Sequence, residues 1–177
     1  MPFRRARKTY DESSLYEYAV GALGRRMRSV AELKRLLRQR VANNPEGGEG
    51  LVESVIKRLK DQRYLNDSQY AAAYSSFRRD NEKFGRRRVI NDLKGRGVHG
   101  DIIEREVGAV YAEVDEERLA RDFLRRKRLQ KPADDKHAAR IFRALVRAGF
   151  AIKTCVTILK NWDIPDEVVT ALETEQD

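Results

Sequence analysis

The side chains that could do chemistry in this chain are cationic, and they are clustered. Arg86, Arg87 and Arg88 stand in a row after Gly85, and Lys94 and Arg96 follow at the far end of the same segment. Arg125, Arg126 and Arg128 form a second cluster around Lys127, and Arg25, Arg26 and Arg28 a third. Guanidinium groups make paired hydrogen bonds to phosphate or carboxylate. Successive helical residues are about 100° apart, so a run of four cannot all face one partner. The chemistry predicted is contact with the backbone of a polyanion, weakly sequence-specific and strongly salt-dependent. The tyrosines fall mostly at inward positions, which argues against base stacking by them.

The residues for catalysis are missing from this pattern. One cysteine, Cys155, and two histidines, His99 and His137, cannot build a zinc site of the usual Cys/His type. Asp115-Glu116-Glu117 is better explained by the dipole of the helix it opens than by a cation. Gly95-Arg96-Gly97-Val98-His99-Gly100 matches G-x-G-x-x-G, but a helix precedes it and no strand is near, so it reads as a helix end followed by a tight turn. His137 has no linked nucleophile. Cys155 and Trp162 fall on one apolar stripe and read as core. No catalytic residue, cofactor or metal is expected, and the chain reads as a non-enzyme.

Composition agrees with a basic binding module. The 177 residues carry a formal net charge of +9, with a pI of 9.8. Charged residues make up 37%, against a usual ~25%. The charge is blocky: residues 1–41, 78–96 and 118–131 are strongly basic, 99–117 acidic, and 163–177 hold six acids and no base. A positive surface attracts nucleic acid, anionic membrane or acidic protein. The single cysteine rules out an intramolecular disulfide and fits a reducing compartment. The basic start lacks the apolar stretch of a secretory signal, and no apolar run approaches the ~20 residues that cross a bilayer. A cytoplasmic protein is expected.

These clusters must be positioned by helices, since only four prolines interrupt the chain. Residues 1–13 read as a basic tail. Residues 14–65 read as a first three-helix repeat. Its second helix is opened by the capping box Ser29-Val30-Ala31-Glu32, and its third is marked by Leu51, Val52, Val55, Ile56 and Leu59. Residues 66–114 read as a second repeat. Asn66 or Asp67 caps its first helix; Tyr70, Ala71, Tyr74 and Phe77 line the inner face; Gly85 ends it; and Asp101 caps the third helix. Residues 115–165 read as a third repeat, with Lys131-Pro132 ending its first helix and Asp134 or Asp135 capping its second. Residues 166–177 read as an acidic tail. Tyr18-Ala19, Tyr70-Ala71 and Leu119-Ala120 recur at intervals near fifty, as do Gly97-Val98 and Gly149-Phe150. Such a period predicts an all-α, elongated, curved tandem repeat, with Arg86–Arg96 at the centre of any concave surface and Tyr64 and Leu65 in a joint between repeats.

The ordered set Ser29-x-x-Glu32-Leu33, then Arg63-Tyr64-Leu65-Asn66-Asp67-x-x-Tyr70-Ala71, then Gly85-Arg86-Arg87-Arg88-Val89-x-x-x-Leu93-x-x-x-Gly97-Val98 resembles the RecX family, bacterial regulators of the RecA recombinase. The resemblance covers about residues 14–114. The family's usual Tyr-Leu-Asp-Asp is Tyr64-Leu65-Asn66-Asp67 here, a change that keeps the helix cap. The resemblance implies tandem three-helix repeats that dock on the RecA–single-stranded-DNA filament, inhibit ATP hydrolysis and strand exchange, and destabilise filaments. A recombinase filament and single-stranded DNA are therefore the expected partners, and a monomer the expected state. The residues alone also admit a stand-alone helical-repeat or helix-turn-helix binder of nucleic acid.

Overall fold

A computed structural model describes residues 9–44 and 48–174. Among them the chain is all-α, with ten helices and no strand: α1 Glu12–Arg25, α2 Val30–Val41, α3 Glu49–Asp61, α4 Asp67–Asp80, α5 Arg86–Gly95, α6 Gly100–Tyr111, α7 Glu116–Arg126, α8 Asp135–Arg147, α9 Ile152–Lys160 and α10 Asp166–Thr174. No described helix is long and apolar enough to cross a membrane. The chain divides into two compact units, residues 1–70 with 95–99, and residues 71–94 with 100–177.

The first unit is built on α1, α2 and α3, which pack on one another. Each helix places a stripe in the core: Leu15, Ala19 and Ala22 from α1, Leu33 and Leu37 from α2, and Val52, Val55, Ile56 and Leu59 from α3. The α2 capping box is complete, with Glu32 N–H donating to Ser29 Oγ and Ser29 N–H to the Glu32 carboxylate. The first helix starts earlier than the sequence predicts. Asp11 is its N-cap, and Ser14, expected as the start, is the N3 partner of a capping box with Asp11. The expected basic tail therefore ends before Asp11, and its residues 1–8 lie outside the described set. Asn66 accepts from the N–H groups of Ser68 and Gln69 and so caps α4. Asp67 reaches back to accept from Val30 N–H, a free donor at the start of α2.

The second unit centres on α7, α8, α9 and α10, with α9 packing on the other three. Its core holds Phe123, Ile141, Phe142, Leu145, Phe150, Cys155 and Leu159. Helix α9 has Ala151 as its N-cap, which offers no side-chain cap of its own. Glu116 supplies one: Ala151 N–H donates to it at 3.1 Å, and the Thr154 hydroxyl also donates to it.

Several expectations are corrected. Residues 166–174 are not a tail: α10 buries Val169 and Leu172 in the core of the second unit, while Asp166 and Glu167 stand in its first turn, where helix N-termini favour acids. Residues 175–177 lie outside the described set. Helix α7 stops at Arg126, before Lys131-Pro132. Arg128 takes a left-handed φ of 55°, and the N–H groups of Arg128 and Leu129 bond back to the carbonyls of Arg125 and Leu124, which closes the helix as a Schellman motif. Asp101 lies inside the first turn of α6, which starts at Gly100. Phe77 and Tyr64, expected inward, are 55% and 64% exposed. Ser75 occupies the α4 core position instead, its hydroxyl donating to the Ala71 carbonyl at 2.6 Å.

Candidate nucleic-acid interface

Four of the candidate cations, Arg86, Arg87, Arg88 and Lys94, are carried by α5, and α5 is aimed by its first turn. Gly85 N–H donates to the Ala148 carbonyl at 2.8 Å, and Arg87 N–H to the Gly149 carbonyl at 3.2 Å. Two donors at the start of α5 are thus satisfied by the carbonyls of Ala148 and Gly149, which follow the end of α8. The approach needs glycine on both sides. A Cβ on Gly85 would stand 2.3 Å from the Gly149 oxygen, and one on Gly149, whose φ is +92°, would stand 2.2 Å from Arg88 N.

A similar joint exists in the first unit. Ser29, at the start of α2, donates its hydroxyl to the Arg96 carbonyl at 2.6 Å. Gly97 has a φ of +73°, and a Cβ on it would stand 2.5 Å from the Ala31 Cβ. The start of one helix meets the glycine-marked end of a helix about one sequence period further on.

From this turn α5 buries Val89 and Leu93. Arg87, Asn91 and Lys94 recur at i, i+4 and i+7 and form an exposed stripe. Arg86 is exposed beside it. Among the described residues neither Arg86 nor Arg87 has a side-chain hydrogen bond or ion pair.

Arg88 points elsewhere. Its Nε lies 3.1 Å from Asp92, a carboxylate whose side chain is 18% exposed. Asp92 also accepts from the Tyr74 hydroxyl at 2.9 Å, and Tyr74 accepts from Arg78 Nε at 2.8 Å. Arg88 therefore belongs to a polar network that ties α4 to α5.

Arg96 sits in the first unit and is held by Glu32, Nη1 to Oε1, at 2.6 Å. Arg25 and Arg26, at the end of α1, are exposed. Arg28 is half-buried, and its Nε is shielded from solvent without a hydrogen bond. On α7, Arg125 pairs with Asp122 and Arg126 with Glu82, each at 3.3 Å, and Arg128 is exposed in the closing turn. The sequence clusters are thus split between the two units, and inside each unit between residues bound to carboxylates and residues open to a partner.

Sequence reasoning missed a further basic stripe. Lys136, Arg140, Arg143 and Arg147 recur at i, i+4, i+7 and i+11 on the exposed face of α8. The spacing was legible, but the residues are never adjacent and so form no run.

Cys155 is buried, and burial together with the nearby Glu116 charge pushes its thiol up to about 12, away from a reactive thiolate. Among the described residues no group of three His, Cys, Asp or Glu is placed to hold a metal. What the geometry offers is cations on rigid helices, with some of them unpaired.

No family model matches the chain. It is 35% identical over 153 residues to regulatory protein RecX of Deinococcus radiodurans, covering 84% of this chain and 69% of that protein. It is 30% identical over 160 residues to regulatory protein RecX of Myxococcus xanthus, covering 84% and 83%. Regulatory protein RecX of Geobacillus thermodenitrificans is 27% identical over 148 residues, and the chain spans 53% of its length. Among solved structures, RecX from Lactobacillus salivarius superposes with a TM-score of 0.64 at 22% identity, covering 86% of this chain and 96% of that one, and so shares the fold.

Proposed function

Given that the chain belongs to the RecX family of regulatory proteins, we propose that it binds the RecA–single-stranded-DNA filament and restrains it, lowering ATP hydrolysis, strand exchange and filament growth or stability without catalysis of its own. The observation that carries this reading is the unpaired state of Arg86 and Arg87 beside Lys94 on a helix whose direction is fixed by backbone hydrogen bonds. Cations held without an internal partner keep their full attraction for phosphate, whereas Arg88 and Arg96 are already engaged.

In this reading Arg86, Arg87 and Lys94 meet DNA phosphates, with Arg125, Arg128, Arg25 and Arg26 as secondary contacts. The contacts are to backbone and carry little sequence preference. The chain works as three tandem repeats, α1–α3, α4–α6 and α7–α9, with α10 appended. The two glycine joints, Gly97 on α2 and Gly149 on α5, support that division. The protein acts as a monomer in the cytoplasm.

The test is the single-stranded-DNA-dependent ATPase of RecA with stoichiometric added protein. Unchanged hydrolysis and unchanged strand exchange would sink the proposal. Tight binding to naked DNA with no effect on the recombinase would favour a stand-alone nucleic-acid binder instead.

A further inference from the structure

The second unit carries a groove that the α5 stripe does not use. It encloses about 500 Å³ and is bounded by Arg88, Lys127, Arg140 and Arg147. Its floor is apolar: Leu129, Ala144 and Ala148, with the rings of Phe84 and Phe123. Among the described residues no carboxylate lines it. Arg140, Ala144 and Arg147 recur at i, i+4 and i+7 on α8, so the two arginines flank the alanine on one helix face, their backbone positions about 10 Å apart along the axis. Arg88 is already bound to Asp92, and the three remaining cations, Lys127, Arg140 and Arg147, around an apolar floor call for an occupant that is both anionic and apolar.

We propose that this groove docks an acidic segment of a partner protein that bears an apolar side chain between its carboxylates. The carboxylates meet Arg140 and Arg147, and the apolar side chain rests on Ala144 and Leu129. The floor decides against a nucleic-acid strand. Single strands gain affinity by stacking bases on open aromatic faces. Here the guanidiniums of Arg78 and Arg88 lie 5.5 and 5.7 Å from the Phe84 ring centroid. Phe123 packs on Phe84 and Phe150 at 6.3 and 5.8 Å and is buried. What remains open is Leu129, Ala144 and the part of Phe84 that the two guanidiniums leave uncovered, and phosphate contacts alone have no use for the aliphatic part. The inference stands apart from the filament reading, since it concerns other residues and is tested without recombinase or filament.

The experiment uses the full chain and fluorescein-labelled probes: a heptapeptide of Asp and Glu with a central Leu, the same peptide with a central Gly, and an oligothymidylate. Fluorescence polarisation should show the Leu peptide binding about tenfold more tightly than the Gly peptide, the gain from burying one aliphatic side chain. Ala144→Trp fills the floor without changing charge. It should weaken the Leu peptide about tenfold and leave oligothymidylate binding as it was. Arg140→Glu with Arg147→Glu, both at exposed positions, should abolish peptide binding while circular dichroism keeps its helical signal. Equal affinity for the two peptides, or no peptide binding at all, overturns the proposal. So does an Ala144→Trp chain that loses oligothymidylate as strongly as peptide, because the occupant is then the nucleic acid.

Discussion

Arg96 is bound to Glu32 across 64 residues of sequence, with a 2.6 Å contact between side chains that are 27% and 13% exposed. The same Glu32 carboxylate accepts from Ser29 N–H and so closes the α2 capping box. One acid thus serves the start of a helix and the end of a distant segment. A residue whose charge reads as a DNA contact is, in the fold, a clamp within the first unit.

Arg96→Ala should therefore behave as a stability variant. Removing the guanidinium leaves a mostly buried carboxylate short of a partner, a cost of about 1–2 kcal/mol after allowing for solvent screening. Arg87→Ala, on an exposed stripe, should change stability by no more than about 0.5 kcal/mol. Urea unfolding of the two variants checks the contrast, and equal midpoints would show that the clamp contributes nothing.

Gly149→Ala should be the more damaging change of a single atom group. Its φ of +92° is a conformation that L side chains rarely adopt, and the new Cβ would stand 2.2 Å from Arg88 N. The obstacle is backbone and cannot rotate away. A loss of about 2–4 kcal/mol is expected, above the ordinary range for a surface substitution. Thermal unfolding measures it. Since the joint aims α5, binding assays on this variant should weaken even though no cation has been removed.

Cys155 gives a chemical probe of the second core. Burial and the Glu116 charge raise its thiol pKa to about 12, well above the ~8.5 of a free thiol. A folded-state pKa that is raised stabilises the fold below the unfolded pKa, and the contribution is lost as pH climbs through the folded value. Stability should accordingly be flat through neutral pH and fall from about pH 8.5 upward as the unfolded thiol ionises. At pH 8 a thiol reagent should label native protein far more slowly than protein in denaturant. Equal rates would place the cysteine at the surface.

At acid pH the direction reverses. The Ser14 side-chain hydrogen bond holds Asp11 below the usual carboxylate range, and the Arg38 hydrogen bond does the same for Glu49. Depressed carboxyl pKa values contribute stability above the unfolded values, near ~4, that is lost as pH falls through the folded ones. Both groups are exposed, so the acid slope should be shallow. Ser14→Ala should flatten it further in a pH series of unfolding midpoints.

Much of this architecture was legible in residue order. Ser29 with Glu32 is a capping box in the sequence and in the fold, and of the alternatives Asn66 or Asp67 and Asp134 or Asp135 the first of each pair is the cap. Gly97 and Gly149 mark helix ends with positive φ. The failures have physical causes. Periodicity rewards a large apolar residue, so Phe77 was placed inside. It was Ser75 that went in, because its hydroxyl could be satisfied within its own helix. Tyr64 follows Arg63, whose φ of 59° throws the chain out of helical phase. The acid count of residues 166–177 hid Val169 and Leu172. Among the cations, sequence showed where charge was dense. Only side-chain geometry separated Arg86 and Arg87 from Arg88 and Arg96, because the neutralising acids Asp92 and Glu32 lie one turn away and 64 residues away.

In the proposed function the open α5 cations bring this chain to the recombinase filament. The most direct measurement is RecA ATP hydrolysis on single-stranded DNA with wild-type chain and with Arg86→Glu, Arg87→Glu and Lys94→Glu combined. Circular dichroism and unfolding midpoints establish that the variant is folded. Wild type should lower the rate and the triple variant should not, with a weaker salt dependence of binding as phosphate contacts are lost. A folded triple variant that inhibits as strongly as wild type would show that these cations do not bring the chain to the filament.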